Sequence, residues 1–472
     1  MTERIVVIGA DAAGMSAASQ AKRIAGDAIQ IVAFERGAYS SYSACGIPYW
    51  VAGDAAGPDH LVARSPEAHR RNGIDLRMRT QVEEIDLDAG RVAARDLVGG
   101  RSYREGFDSL VIATGAIPVR PPLSGADAAG VFGVQTLDDG AALLADLDRA
   151  QPRRAVVVGG GYIGVEMAEA LVRRGVALTV VDQAAQPMTT LDPDMGATVH
   201  RAMEDLGIDV RTDTAVIGFE TGSDRRIRSV VTADGSIPAD VVVLGLGVRP
   251  NTALAQRAGL PLGDYGGLRT NQQMQVLSHD GVWAGGDCVE VLNLVSGQYQ
   301  HVPLGTHANK HGRVIGHNLA GSYATFPGVV GTAVSKVCHL EIARTGLRER
   351  DAKRAGFEYV TVTVRSGTKA AYFPGTQQMT VKMIAERRSG RLLGVQIVGH
   401  EGSAKRIDTA ATALWNRMTV EDMTSLDLAY APPFSPVWDP ILVAARQAAA
   451  AVRQDGSKQG PMTRRPRRRR TD

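Results

Sequence analysis

Sulfur is the first reactive element this sequence offers. Cys45, Cys288 and Cys338 lie far apart in 472 residues, a spacing that makes neither a disulfide framework nor a zinc site. In a reducing cytosol a single well-placed cysteine is a candidate reactive thiol, active as its thiolate. Two glycine-rich turns carry a second chemistry. Gly9-Ala10-Asp11-Ala12-Ala13-Gly14 follows RIVVI, and Gly159-Gly160-Gly161-Tyr162-Ile163-Gly164 follows RAVVV. In such a turn the first glycine permits the bend and the last lets helix pack on strand, so that helix N-terminal amides face a diphosphate. Each unit then ends a second strand on an acid, Glu35 or Asp182, suited to a ribose diol. Asp11 replaces the middle glycine of the first turn, which a diphosphate tolerates if the side chain points away or caps the helix. Asp182 repels a 2′-phosphate, and Gln183, Ala184 and Ala185 offer no arginine to receive one, so NADH is favoured, with NADPH the alternative donor.

The elements that must hold these residues form a repeat. Each glycine-rich turn joins a β-branched run to an Ala-rich helix pattern, residues 12–24 or 162–174, and then to a second strand. Two β-α-β units predict two dinucleotide sites, an arrangement suited to a flavin fed by a nicotinamide. Further strands are expected at 107–113, 241–247 and 281–287. Beyond residue 327 the pattern changes to strands at 359–364, 380–384 and 392–398, a helix at 403–415, a Pro-rich turn and a last helix at 441–454. Residues 455–472 read as disordered. The formal charge of +3 misleads, because residues 456–472 hold seven Lys/Arg and one acid, leaving −3 on the rest. Such a body does not look like a nucleic-acid-binding domain, whose basic residues should cover a face. No apolar run approaches the ~18 residues of a membrane span, the N-terminus has no signal-peptide pattern, and a cytoplasmic location is expected.

The ordered motifs SYSACGIPYWVAG, ATGAIP, GGGYIGVEMAEAL, GVRPNT, WAGGDC, GTHANKHGR, AYFPG, KRID and LAYAPPFS run through the chain. Together with the first turn they resemble the single-cysteine pyridine nucleotide-disulfide oxidoreductases over about residues 3–450. That group contains coenzyme A disulfide reductases, persulfide reductases, and NADH oxidases and peroxidases. The resemblance implies an α/β fold of two Rossmann-like dinucleotide-binding domains, of glutathione reductase-like architecture, plus an α+β C-terminal dimerisation domain. It sets an FAD-binding domain at 1–118 and 252–326, an NADH-binding domain at 119–251, an interface domain at 327–452, and an Arg-rich tail at 453–472. FAD contacts are implied for Gly9, Asp11, Ala12, Gly14, Glu35, Arg36, Val82, Thr114, Gly115, Asp287 and Ala308. NADH contacts are implied for Gly159, Gly161, Tyr162, Ile163, Gly164, Glu166, Asp182 and Gly247.

By the same resemblance Cys45 sits beside the flavin, and Tyr49 and Trp50 stand where a second redox cysteine would be. One thiol must then alternate between thiolate and a mixed disulfide or sulfenic acid, and a cationic or helix-N-terminal setting would favour the thiolate. Tyr372 and Tyr430 of the partner subunit are expected to assist a leaving thiolate. Ser19, Gln20, Arg23 and Ser41 correspond to coenzyme A-holding positions, and Lys405 and Arg406 to phosphate contacts from a homodimer partner, with a salt bridge to Asp408 as the competing role. Ala44 replaces the usual Asn, Tyr372-Phe373 replaces Tyr-Tyr, Ala12 stands where peroxidases carry His, and no rhodanese domain follows residue 452. His307 and His311 read as packing or surface residues, and Cys288 and Cys338 as structural. The reading is an FAD-dependent, NADH-oxidising reductase of a small disulfide or persulfide such as coenzyme A disulfide. An NADH oxidase reducing oxygen or peroxide is the alternative enzyme. A redox-sensing flavoprotein binding nucleic acid or protein through its arginines is the alternative of another class.

Overall fold

The computed structural model describes residues 2–458, which divide into two compact units. The first contains residues 2–189 and 199–329 and is built on two parallel sheets. One sheet runs Val282–Ala284, Ser109–Ile112, Glu3–Ile8, Ile29–Phe34, Ile74–Arg77 in spatial order. Its central strand pairs Glu3 with Ile29 through to Ile8 with Phe34. Ile5, Val6 and Val7 are buried on both faces, as a β-branched run inside a covered parallel sheet must be. The helix Ala12–Ala25 follows this strand, and the helix Gly305–Leu319 packs along it. Contact is close because Gly312 and Gly316 have no side chains. A Cβ on Gly312 would overlap Ala13 O, and one on Gly316 would lie 2.6 Å from Ala17 O.

The other parallel sheet runs Asp209–Arg211, Ala177–Val181, Arg154–Val158, Val241–Leu244, Val131–Gly133. It repeats the strand-turn-helix construction with the helix Tyr162–Arg173. The strands Ala116–Pro118 and Val248–Pro250 pair antiparallel beside the two sheets. The expected central strands therefore form, each trimmed by one to three residues where the chain bends into its turn.

The second unit contains residues 190–198 and 330–458. Its antiparallel sheet runs Ala333–Val337, Leu340–Gly346, Leu392–Gly399, Gln378–Glu386, Tyr359–Gly367. Residues 190–198, which follow Asp182 in sequence, join this unit through a buried polar knot. Lys382 Nζ lies 2.7 Å from Asp194, 3.1 Å from Glu349 and 3.2 Å from Asp192. Gln396 accepts from the Asp192 amide and donates to its carboxylate at 2.6 Å, so the buried charges are paired and hydrogen-bonded.

The expected 403–415 helix begins as a tight 3-10 turn, Ala404–Arg406, before the α-helix Ile407–Trp415. The last helix corrects the sequence reading. It spans Pro440–Lys458, longer than the expected 441–454, so residues 453–458 are helical. An ion pair between Arg453 and Glu421 helps hold its later turns. Residues 459–472, with the arginine run, lie outside the described residues.

Candidate functional site between two nucleotide turns

The two turns are built alike. Gly9 has φ +101° and Gly159 φ +100°, a backbone region that favours glycine. A Cβ on Gly14 would overlap Gly9 O, and one on Gly164 would overlap Gly159 O. Glu35 accepts from the amides of Ala10 at 2.9 Å and Gly37 at 2.7 Å. Asp182 accepts from those of Gly160 at 2.6 Å and Ala184 at 2.8 Å. Each acid thus braces its own turn with one part of its carboxylate and keeps lone pairs for a ribose. Beside Glu35 and Arg36 opens a cavity of about 420 Å³, lined also by Tyr39, Tyr42, Gln81 and Pro118.

Asp11 precedes the helix Ala12–Ala25 without capping it. Its Oδ1 accepts the Tyr42 amide at 3.0 Å, and the Ala12 amide lies against the carboxylate as well. Burial pushes the Asp11 carboxyl up to about 6, aided by the charges of Glu35 and Asp287. Asp287 is likewise raised to about 6 by burial. Thr114 donates to Asn251 O at 2.7 Å, and Asn251 donates back at 3.1 Å. Gly115 and Gly247, at φ +68° and +82°, turn the chain beside the Ala116–Pro118 pairing. Val82 is buried in the strand Thr80–Asp86, and Ala308 is buried on the helix Gly305–Leu319.

These residues fit two dinucleotides on structural grounds. In both turns the helix closes onto the first glycine's carbonyl, an approach that a Cβ on Gly14 or Gly164 would block, the cavity adjoins Glu35, and the Tyr162 hydroxyl is buried with no protein partner. A buried hydroxyl left so awaits a polar ligand.

Cys45 lies in the 3-10 turn Ala44–Gly46 and is the exposed one of the three cysteines. Of the two settings expected to favour the thiolate, its turn does lead into the helix Ile47–Ala52, but the charged groups that act on it are acids, not cations. Partial burial, then the charges of Glu166, Asp287 and Asp11, push the thiol up from its ordinary value. The thiol therefore stands among groups from both nucleotide turns, Glu166 coming from the helix Tyr162–Arg173. Cys288 is buried, its Sγ against the carbonyls of Ile112 and Gly285. His311 does more than fill space. Its Nδ1 accepts the Gly286 amide at 3.1 Å next to Asp287, and burial lowers it to about 3.

The expected substrate residues fall in two places. In the first unit Arg23 donates to Gln20 Oε1 at 2.7 Å, and Gln20 meets His317 at 3.1 Å. Ser41 Oγ meets His69 Nε2 at 2.9 Å, and Arg64 reaches Ser19 at 3.5 Å. Arg64 and His69 carried no motif in the sequence. The bridge between Tyr42 and Val62 delivers them, a signal that a pairing pattern at 42 and 62 could have suggested. In the second unit Tyr372 and Tyr430 hydrogen-bond to one another. Both are exposed, and partial desolvation followed by that bond raises Tyr430. Arg406 is spent internally on Asp439 and on the carbonyls of Thr368, Phe434 and Gly402. Lys405 is exposed and pairs with Asp408.

A chain with two dinucleotide turns on parallel sheets and an exposed thiol reached by groups from both is built as a two-nucleotide sulfur oxidoreductase. Residues 3–312 match the family described as pyridine nucleotide-disulphide oxidoreductase, and residues 332–440 match its dimerisation domain. An "NAD(P)H coenzyme A polysulfide/persulfide reductase" of Pyrococcus horikoshii is 37% identical, over 94% of this chain and 98% of that protein. An "NADH oxidase" of Methanocaldococcus jannaschii is 35% identical, over 94% of this chain and 98% of that protein. The structure of a "NAD-Dependent Persulfide Reductase from A. fulgidus" superposes with a TM-score of 0.92 at 38% identity, covering 96% of this chain and 84% of that one. The chain belongs to the pyridine nucleotide-disulphide oxidoreductases and is an FAD-dependent NAD(P)H oxidoreductase.

No helix among the described residues is long and apolar enough to cross a membrane.

Proposed function

We propose that this enzyme uses NADH to reduce a small disulfide or persulfide, with coenzyme A disulfide or persulfide as the substrate class, acting as a cytoplasmic homodimer. The observation that carries the reading is the single exposed thiol, Cys45, set among groups from both nucleotide turns. The dimerisation-domain match and the P. horikoshii relative support the dimer and the coenzyme A class. Ser19, Gln20, Arg23 and Ser41 supply polar groups and a guanidinium for a phosphorylated thiol.

The Gly159–Gly164 turn binds NADH, and Glu166 positions the nicotinamide. Bound FAD supplies the passage of a hydride's electron pair from nicotinamide to sulfur. Cys45 begins as a mixed disulfide, Cys45–S–S–R. The electron pair breaks that bond, and RS⁻ leaves with a proton from Tyr430 of the partner subunit, which Tyr372 of the partner subunit hydrogen-bonds. The Cys45 thiolate attacks the next RSSR, restores the mixed disulfide and releases a second RS⁻. The balance is NADH, one proton and RSSR giving NAD⁺ and two RSH.

The test is anaerobic NADH turnover with coenzyme A disulfide, its persulfide, other small disulfides and peroxide, with oxygen assayed separately. Cys45→Ser should abolish turnover of every sulfur substrate, and undiminished turnover sinks the mechanism. The NADH-oxidase reading draws on the M. jannaschii relative. It gains if oxygen consumption exceeds turnover with every sulfur acceptor.

A further inference from the structure

At the middle glycine of the fingerprint the first turn carries Asp11, where the second has Gly161. The carboxylate makes no side-chain cap of the following helix and pairs with no cation among the described residues; its Oδ1 accepts the Tyr42 amide at 3.0 Å, and the Ala12 amide lies against it as well. Next to it, Ala10 O accepts the Ser41 amide at 3.1 Å. Two neighbouring residues of the turn therefore grip two neighbouring amides of the segment that leads into Cys45. That segment is bent hard. Ser41 has φ +49°, unusual for a residue with a side chain. Ser43 N bonds to Leu61 O at 2.8 Å, and Gly46 N to Ser43 O at 2.9 Å, closing the small turn that holds the thiol. Glu35 and Asp287 crowd the buried Asp11 carboxyl, and the Tyr42 amide opposes their effect. A third acid in that space is costly, and its hydrogen bond to the thiol's segment gives the cost a use.

We propose that Asp11 is a positioning residue that fastens the Cys45 segment to the first nucleotide turn and so sets the thiol's reach toward its disulfide. The proposal rests on the reading of Cys45 as the reacting thiol. Asp11→Gly places the second turn's residue at this position and removes the acceptor. Asp11→Asn removes the charge but keeps an oxygen for the Tyr42 amide.

The experiment uses FAD-loaded enzyme, with rates expressed per bound FAD. The free Cys45 thiol is mixed with 5,5′-dithiobis(2-nitrobenzoate), and the limiting rate is taken from the high-pH plateau, where ionisation no longer matters. Peptide mass mapping confirms the site, and hydrogen exchange reports protection of residues 41–46. Asp11→Gly should slow the plateau rate by about tenfold or more, since small misplacements of a reacting atom carry such penalties, and should deprotect the segment. Asp11→Asn should restore both to within about twofold of wild type, rescue that follows from the hydrogen bond alone. A wild-type rate in Asp11→Gly, or no rescue by Asp11→Asn, overturns the proposal. Should glycine lose the cofactor, Asp11→Ala carries the same expectation. A wild-type enzyme that turns over no sulfur substrate defeats the function reading instead, because the probe reaction needs no physiological acceptor.

Discussion

Glu35 and Asp182 solve one problem twice: each ties the second residue of its glycine turn to the strand tip beside it. Their difference in length leaves the geometry of the turn unchanged, so the acids are fixed by the turn as much as by any ribose. Cys45 is where residue chemistry departs from expectation. Reduced thiols of this kind commonly lie near cations, whereas here burial and three carboxylates hold the proton on. The sign is definite. A negative neighbour opposes thiolate formation, so removing its charge lowers the thiol's pKa and increases the thiolate fraction near neutrality. Glu166→Gln should therefore move the pH midpoint of Cys45 alkylation by iodoacetamide downward, and speed alkylation at neutral pH by about twofold to tenfold. An unmoved or raised midpoint would mean that Glu166 does not act on Cys45 through its charge.

The two glycine turns and their strands were legible because their causes are local. A β-branched run, a positive-φ glycine and a close-packed glycine lie within about a dozen residues of one another. Long-range arrangements were not legible. Nothing near residue 11 announces that its carboxylate meets residue 42, and nothing near 41 announces His69. The grouping of residues 190–198 with the second unit depends on Lys382 and Gln396, about two hundred positions away. The same holds for the two helices that cross at Gly312 and Gly316, whose contact joins positions some three hundred residues apart. That crossing makes a prediction at its own scale. In Gly312→Ala the new methyl meets Ala13 O and lies 2.5 Å from Ser16 Cβ, backbone and helix that cannot swing aside. The cost should be about 1–3 kcal/mol. A thermal or urea melt should register it, together with weaker retention of FAD, since the displaced helix carries Ala13 behind the first turn. A melt that matches wild type would show that the helices separate without penalty.

On the scale of the whole molecule the question is whether one chain makes a complete site. The second unit holds Tyr372 and Tyr430 hydrogen-bonded together, with Phe434 and Val437 exposed nearby in sequence at 75% and 66%. Large apolar side chains left so open mark a surface that another protein covers, and residues 332–440 match a dimerisation domain. In a two-fold dimer each site would combine Cys45 of one subunit with the tyrosines of the other. Mixing tests this directly. Neither Cys45→Ser nor the double variant Tyr372→Phe, Tyr430→Phe should reduce disulfides well. In a hybrid of the two, one site receives both defects, while the other joins an intact Cys45 to intact tyrosines. With random pairing, half the dimers are hybrids with one good site in two, so co-refolded or co-expressed chains should recover about a quarter of wild-type turnover. If Cys45 and the tyrosines serve the same subunit, every site in every dimer keeps one defect and the mixture recovers nothing. Placing an acid at the exposed surface, as in Val437→Asp, should shift the enzyme toward monomer in sedimentation. It should also lower disulfide turnover with the loss of dimer, because a monomer would have the thiol without the tyrosines that serve it.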